Sequence, residues 1–152
     1  EFFSDWAIKG QEYKEQLLFL VDEDTNAFNK IIDGFRMPKD TDLEKKIRLD
    51  AIEDATKYAT EIPFKVMETA FQSMEVMQAM LKDGLQNSLS DAGVGVLCAR
   101  TAVIGAYFNV RINAKDIKDR AFAASILAKA AIIYEQTIAI ENDTIAFIDS
   151  KI

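Results

Sequence analysis

Residues 17–35, LLFLVDEDTNAFNKIIDGF, decide the fold. A helix advancing about 100° per residue gathers Leu17, Leu20, Val21, Phe28, Ile31, Ile32 and Phe35 on one side. Asp24 falls in the middle of that apolar arc, while its acidic neighbours Asp22 and Glu23 project elsewhere. An ionised carboxylate in such a place costs several kcal/mol unless it is paired, hydrogen-bonded or protonated. Two readings stand open on spacing alone. Asp24 is either the buried partner of a lysine or arginine elsewhere in the bundle, or a carboxylate kept there for chemistry.

The same helical period extends outward in both directions. Two prolines and six glycines punctuate 152 residues. One helix is expected from Phe2 to Gly34, with Gly10 as a candidate interruption. FRMPKDTD is a connection in which Asp40, Thr41 and Asp42 are candidate N-caps. A second helical stretch runs from Leu43 to Lys82, and Pro63 should kink or divide it because its ring removes a donor and crowds the preceding turn. KDGLQNSLSD reads as a loop, with Gly84 as a stop and Asn87, Ser88 and Ser90 as cap candidates. Two more helices follow, Asp91–Ile117 and Asp119–Asp149. With no strand pattern and short connections, the expectation is all-α: an up-and-down bundle of long antiparallel helices in one domain, 1–152.

Composition narrows the function. A 49% hydrophobic chain of this length can bury a core. A net charge of −7 and a pI near 4.7 make nucleic acid and anionic membranes poor partners. No uninterrupted apolar run reaches eighteen residues, so no membrane span is expected. A single cysteine, Cys98, excludes an internal disulfide framework and fits a reducing cytoplasm. Histidine is absent, which removes the commonest general acid–base, the serine–histidine and cysteine–histidine dyads, and most zinc sites. Any proton transfer at neutral pH falls to carboxylates, amides, lysines or tyrosines. The run Asp22–Asp24 lacks the glycine and spaced ligands of a calcium loop.

The third helix carries a strip of minimal side chains, Gly95, Ala99, Ala102 and Ala106, with Asn113 on the same line and Asn109 beside it. Such a strip admits either a closely packed helix or a flat ring, and each amide offers both donors and an acceptor. Cys98, on the apolar face with Val94 and Thr101, reads as a small core residue rather than a nucleophile.

Three segments together resemble one family, the folate cyclodeaminases and methenyltetrahydrofolate cyclohydrolases. LVDEDTNAF (20–28), followed ten residues on by Pro38-Lys39, is similar to a Leu-Val-Asp-x-Asp-x-x-Ala-Phe signature and its proline–lysine turn. NSLSDAGVG (87–95) resembles an Asn-x-x-Ser-Asp element. GAYFNVRIN (105–113), with KDIKD just after, is similar almost letter for letter to Gly-Ala-Tyr-Phe-Asn-Val-x-Ile-Asn. The resemblance runs from about residue 11 and weakens over the last helix.

It implies an all-helical homodimer acting in the cytoplasm on a folate. The cyclodeaminases close 5-formimidoyltetrahydrofolate to 5,10-methenyltetrahydrofolate with loss of ammonia; the cyclohydrolases open the methenyl compound to 10-formyltetrahydrofolate. The second acid of the signature, the family's catalytic aspartate, is Asp24. Asn87, Ser90, Asp91, Tyr107, Asn109, Asn113 and, weakly, Arg111 become folate-binding candidates, with Asp91 suited to the aminopyrimidine edge. Arg100, Arg111, Lys115 and Lys118 form a basic stretch that either meets the folate's glutamate carboxylates or is a solvated helix face. No metal and no bound cofactor beyond the folate is implied. Desolvation on an apolar stripe is expected to raise the Asp24 pKa toward the working range. The family's glycine-rich Pro-Gly-Gly-Gly-Ser helix has no counterpart here, which suggests part of a longer polypeptide and leaves a non-catalytic dimerisation module as the rival reading.

Overall fold

Caps and apolar spacing set the element boundaries in the computed structural model, which describes residues 2–152. The order is α1 (Phe2–Arg36), α2 (Asp42–Asp83), a 3-10 turn (Gln86–Ser88), α3 (Leu89–Ala114) and α4 (Arg120–Asp149), with no strand among the described residues. Of the three N-cap candidates before α2, Thr41 is the cap. Its hydroxyl accepts from the Glu44 N–H at 3.2 Å, and the Glu44 carboxylate accepts from the Thr41 N–H at 2.8 Å. Asp119 caps α4 by accepting from Phe122 N at 3.1 Å.

Four expectations change. Gly10 does not interrupt α1, and Pro63 does not divide α2, which is continuous from Asp42 to Asp83. No side chain among Asn87, Ser88 and Ser90 caps α3; the 3-10 turn Gln86–Ser88 leads directly into it. The third helix stops at Ala114, three residues before Ile117, where the chain turns toward α4.

The buried seams repeat every seven residues, the spacing that suits helices packed close to antiparallel. On α1 the line is Trp6, Tyr13, Leu20, Ala27 and Gly34, fully buried at Leu20, Ala27 and Gly34. On α3 two such lines lie side by side: Leu89, Val96, Val103, Val110, and Ala92, Ala99, Ala106. α2 lies against all three other helices, and α3 also packs on α4. Small residues set the close approaches. A Cβ on Gly34 would sit 3.0 Å from Ile52 Cγ1, and one on Gly95 would sit 2.7 Å from Met77 Cγ. The strip Gly95–Ala99–Ala106 is therefore the α2–α3 packing surface, while Ala102 points outward and Cys98, expected in the core, is exposed on the outer row of α3.

The outer faces are less polar than a fully covered bundle needs. Val21, Phe28 and Phe35 of α1, and Val94, Phe108 and Ile112 of α3, are all more than half exposed. Judged over whole windows rather than uninterrupted runs, residues 86–114 and 120–149 are both long and apolar enough to cross a membrane. The buried helices of a bundle meet the same test of length and composition, so it does not decide between a span and a core helix. In α3 the high apolarity has a local cause, since an apolar outer row lies opposite the buried one.

The α3–α4 turn is held to α2 by one carboxylate. Glu53 accepts from the backbone N–H groups of Lys118 (2.9 Å) and Asp119 (3.0 Å). Burial pushes the Glu53 pKa up, but those two donors, with Lys57 and Lys118 nearby, outweigh it and hold it below the usual carboxylate value. A depressed folded pKa adds stability above the unfolded pKa and loses it as pH falls through the folded value. We expect Glu53→Gln to lower stability by about 1 kcal/mol at neutral pH, since the site is half-open to solvent. The gap from wild type should close below about pH 4. Urea melts at pH 7 and pH 3.5 check this, and an equal deficit at both would refute the charge-based account.

Candidate functional site

Two antiparallel registers fix the height of each candidate residue. Gly34 faces Ile52 and Gly10 faces Val76 across α1–α2, while Gly95 faces Met77 and Asn113 reaches Ala59 across α2–α3. Asp24 of α1, Ile62 of α2 and Val110 of α3 are therefore at one level, and Asn109 and Asn113 flank that level. The structure brings the Asp24, Asn109 and Asn113 segments to the same stage of the bundle.

Asp24 is exposed rather than buried, which corrects the reading of the apolar arc. The seam that packs on Ala59 and Ile62 runs through Leu20 and Ala27. Asp24 sits on its edge, in line with the uncovered Val21 (63% exposed) and Phe28 (61%). Half of the arc thus packs in the bundle and half remains open. No ion-pair partner holds the Asp24 carboxylate among the described residues, so the buried lysine or arginine pairing is not realised. The chain alone does not desolvate it.

Its neighbours are fastened. Glu23, on the other side of the seam, accepts a short hydrogen bond from the Tyr58 hydroxyl, and Lys30 lies 3.9 Å from the Tyr58 ring centroid. That bond lowers the Glu23 pKa and, with burial, raises that of Tyr58. Further toward the N-terminus, Tyr13 donates a short bond to Glu75, which also pairs with Lys9 at 2.7 Å. Burial and Glu75 push Tyr13 up to about 12. These clips lock α1 to α2 and leave the Asp24 carboxylate unengaged beside Glu23.

Asn113 has a task that sequence reasoning did not assign. Its Nδ2 donates to the Ala59 carbonyl at 2.8 Å. In a helix, that carbonyl would accept from the N–H four residues on, and residue 63 is proline, which has none. Asn113 satisfies the acceptor that Pro63 leaves free. The signal was legible, because a proline inside a helix always orphans the carbonyl four residues before it. Asn109, one turn before Asn113, is exposed.

The remaining candidates lie elsewhere. Tyr107 packs on Tyr134 of α4 with centroids 4.9 Å apart, and the Arg111 guanidinium lies 5.5 Å from the Tyr107 ring. Arg100 is engaged by Glu141 of α4 at 3.0 Å. These three face α4, on the side of α3 away from Asn113. Asn87, Ser90 and Asp91 are exposed at the opposite end of α3, with Asp91 about 27 Å from Asn109 along the axis at 1.5 Å per residue. There Asp91 and Ser88 line a mostly apolar groove of about 760 Å³ with Phe3, Val76, Met77 and Met80, within the size range of small-molecule sites. A second groove of about 420 Å³, lined by Tyr13, Leu17, Val21 and Ser73, shares Val76 and Met77 with it. Together they follow α2 from Asp91 to within one turn of Asp24.

Comparison with known proteins gives the chain's family. Residues 1–132 match the family model described as formiminotransferase-cyclodeaminase. The chain is 30% identical over 144 residues to a methenyltetrahydrofolate cyclohydrolase of Methylorubrum extorquens, covering 95% of this chain and 69% of that protein. It is 37% identical over 107 residues to the formimidoyltransferase-cyclodeaminase of Mus musculus, covering 70% of this chain and 20% of that one. A formiminotetrahydrofolate cyclodeaminase from Thermotoga maritima shares the fold, with a TM-score of 0.70 at 20% identity, over 93% of this chain and 64% of that one. The chain belongs to the formiminotransferase-cyclodeaminase family.

Proposed function

We propose that this protein is a cytoplasmic homodimeric enzyme that works on the one-carbon bridge between N5 and N10 of tetrahydrofolate, closing 5-formimidoyltetrahydrofolate to 5,10-methenyltetrahydrofolate with release of ammonia. One observation carries the reading: Asp24 is a carboxylate with no ion-pair partner among the described residues, on an uncovered apolar stripe and level with Asn109 and Asn113, beside a Glu23 that Tyr58 already engages. In the reaction N10 attacks the formimidoyl carbon, forming the new C–N bond. With the formimidoyl group protonated as its amidinium, the proton on N10 passes to the Asp24 carboxylate and from there to the departing nitrogen, which leaves as ammonia as its bond to the bridging carbon breaks and the methenyl cation forms. One carboxylate serves as base and then acid. The folate ring and a second copy of the chain cover Val21 and Phe28, excluding the water that the single chain admits. Asp91 accepts from the aminopyrimidine edge, with Asn87, Ser90, Asn109 and the free valences of Asn113 arranged around the pterin. The exposed Arg111 and Lys115 are left for the glutamate tail.

A second reading, cyclohydrolase, is favoured by the breadth of the match to the Methylorubrum protein. The same carboxylate would then take a proton from water as it adds to the methenyl carbon. Absorbance at the methenyltetrahydrofolate band separates the two. A rise on adding 5-formimidoyltetrahydrofolate marks the cyclodeaminase, and bleaching of added methenyltetrahydrofolate without such a rise marks the cyclohydrolase. If wild type does neither, the catalytic reading fails and the dimerisation module stands.

A further inference from the structure

We infer that Tyr58 of α2 is the positioning residue for Asp24: by holding Glu23 against α2, it turns the next residue out of the α1–α2 seam and toward the open side. The catalytic consequence rests on the folate reading above, to which this adds what aims the carboxylate.

Helix α1 needs such an anchor. Among the described residues it forms a packed interface with α2 alone, so neither α3 nor α4 limits how it turns about its own axis. Beside its buried line, Leu20, Ala27 and Gly34, runs a second line at the same interval: Gly10, Leu17, Asp24 and Ile31. Gly10, Leu17 and Ile31 are half-buried, and Asp24 alone of the four is exposed. Helical spacing therefore offers Asp24 a place in the contact with α2 that it does not take.

Glu23 takes that place. Between Leu20 and Ala27 it is the one α1 residue that is not exposed, so at this level the contact with α2 is made by a carboxylate rather than by apolar packing. Both of its oxygens are used. One accepts from the Tyr58 hydroxyl, and the other accepts from Asn26 Nδ2 at 3.1 Å. The Tyr58 ring is itself fixed, packed on the cluster of Leu20, Ala27, Ala59 and Ile62 and covered by the Lys30 ammonium at 3.9 Å. The donated bonds, with Lys30 and Lys65 nearby, hold Glu23 below the usual carboxylate range, so it stays an ionised acceptor at neutral pH although Glu61 also faces Tyr58. Neighbouring side chains on a helix point about 100° apart, and fixing Glu23 on α2 fixes the direction of Asp24.

The same turn of α2 also reaches α3. Ala59, the residue after Tyr58, gives its carbonyl to Asn113. Tyr58 and Ala59 thus tie α1 and α3 to one turn of α2, close to the level at which Asp24, Asn109 and Asn113 meet.

Two experiments test the inference, and the first needs no activity. Cys98 is the single cysteine, so in a Cys98→Ser background Asp24→Cys leaves one thiol that reports the direction of this position. With Tyr58 intact it should be alkylated by iodoacetamide as fast as a free exposed thiol. Adding Tyr58→Phe should slow the reaction by about fivefold, as α1 settles on its second line and draws the thiol into the seam. An unchanged rate overturns the positioning role. The second experiment is kinetic. Tyr58→Phe is expected to lower kcat by about 10- to 100-fold, the cost of a displaced catalytic group. KM should stay within about twofold and the melting temperature within about 4 °C. Glu23→Ala should match it, whereas Glu23→Gln should keep kcat within about threefold of wild type, because the amide oxygen still accepts from the tyrosine. Glu23→Gln as poor as Glu23→Ala, or losses that add in Tyr58→Phe with Glu23→Ala, would overturn the clip. A wild type inactive on both folates counts against the reaction instead, and the alkylation rates still decide which way Asp24 is turned.

Discussion

Asp24→Asn abolishes turnover without unsettling the fold: we expect kcat to fall roughly 100- to 10,000-fold, the range for loss of a general acid–base. The melting temperature should stay within about 2 °C of wild type, because an exposed, unpaired carboxylate carries no packing or ion-pair energy. The two readouts separate the possible roles of this residue. A buried ion-pair partner would behave oppositely, costing about 3–5 kcal/mol when one member is removed. Asparagine keeps the shape and hydrogen-bonding reach of aspartate but cannot accept the N10 proton, so KM should change far less than kcat. Asp22→Asn, on the same exposed stretch but off the stripe, is the control and should leave both unchanged. Turnover of Asp24→Asn within threefold of wild type would remove Asp24 from the chemistry.

The behaviour of α1 shows what the sequence could and could not convey. Periodicity located the apolar arc from Leu17 to Phe35 and found Asp24 on it, because a helix fixes angular position to within a few tens of degrees. It could not divide the arc into covered and uncovered halves. That division depends on where α2 lies, and α2 packs on Leu20, Ala27 and Gly34, where the missing side chain of Gly34 admits Ile52 and the small Ala27 clusters with Ala59 and Ile62. The all-α bundle was legible for the same reason: four stretches with a helical period and short connections leave few topologies. The α3 cap was missed because a 3-10 turn can start a helix with backbone alone. Signature elements named candidate residues, but a linear pattern carries no distance. Asp91 and Asn109 read as members of one site although they stand at opposite ends of a helix.

Asn113 offers the second large effect, and a double-mutant cycle isolates it. Replacing Asn113 by leucine, similar in volume, removes the donor and leaves the Ala59 carbonyl in the packed interior with no partner, at a cost of about 1–3 kcal/mol. Ala59 is 7% exposed, so water does not readily take over. Thr56 and Thr60 add to the demand on this turn, since their hydroxyls back-bond to Ile52 O at 2.7 Å and Thr56 O at 2.8 Å, a pattern that bends helices. Pro63→Ala supplies the missing N–H four residues on and returns Ala59 to its own helix. In that background Asn113→Leu should cost less by about 1 kcal/mol, the coupling that a shared acceptor produces. Additive losses would mean that the carbonyl is satisfied another way and that Asn113 serves the ligand alone. The cycle also has a functional arm. If Asn113 positions α3 against α2 at the level of Asp24, Pro63→Ala with Asn113 intact should lower kcat with little change in melting temperature, because the new N–H competes with Asn113 for the Ala59 carbonyl. The residue closing the GAYFNVRIN signature would then act through the helix it ties down as well as through any folate contact.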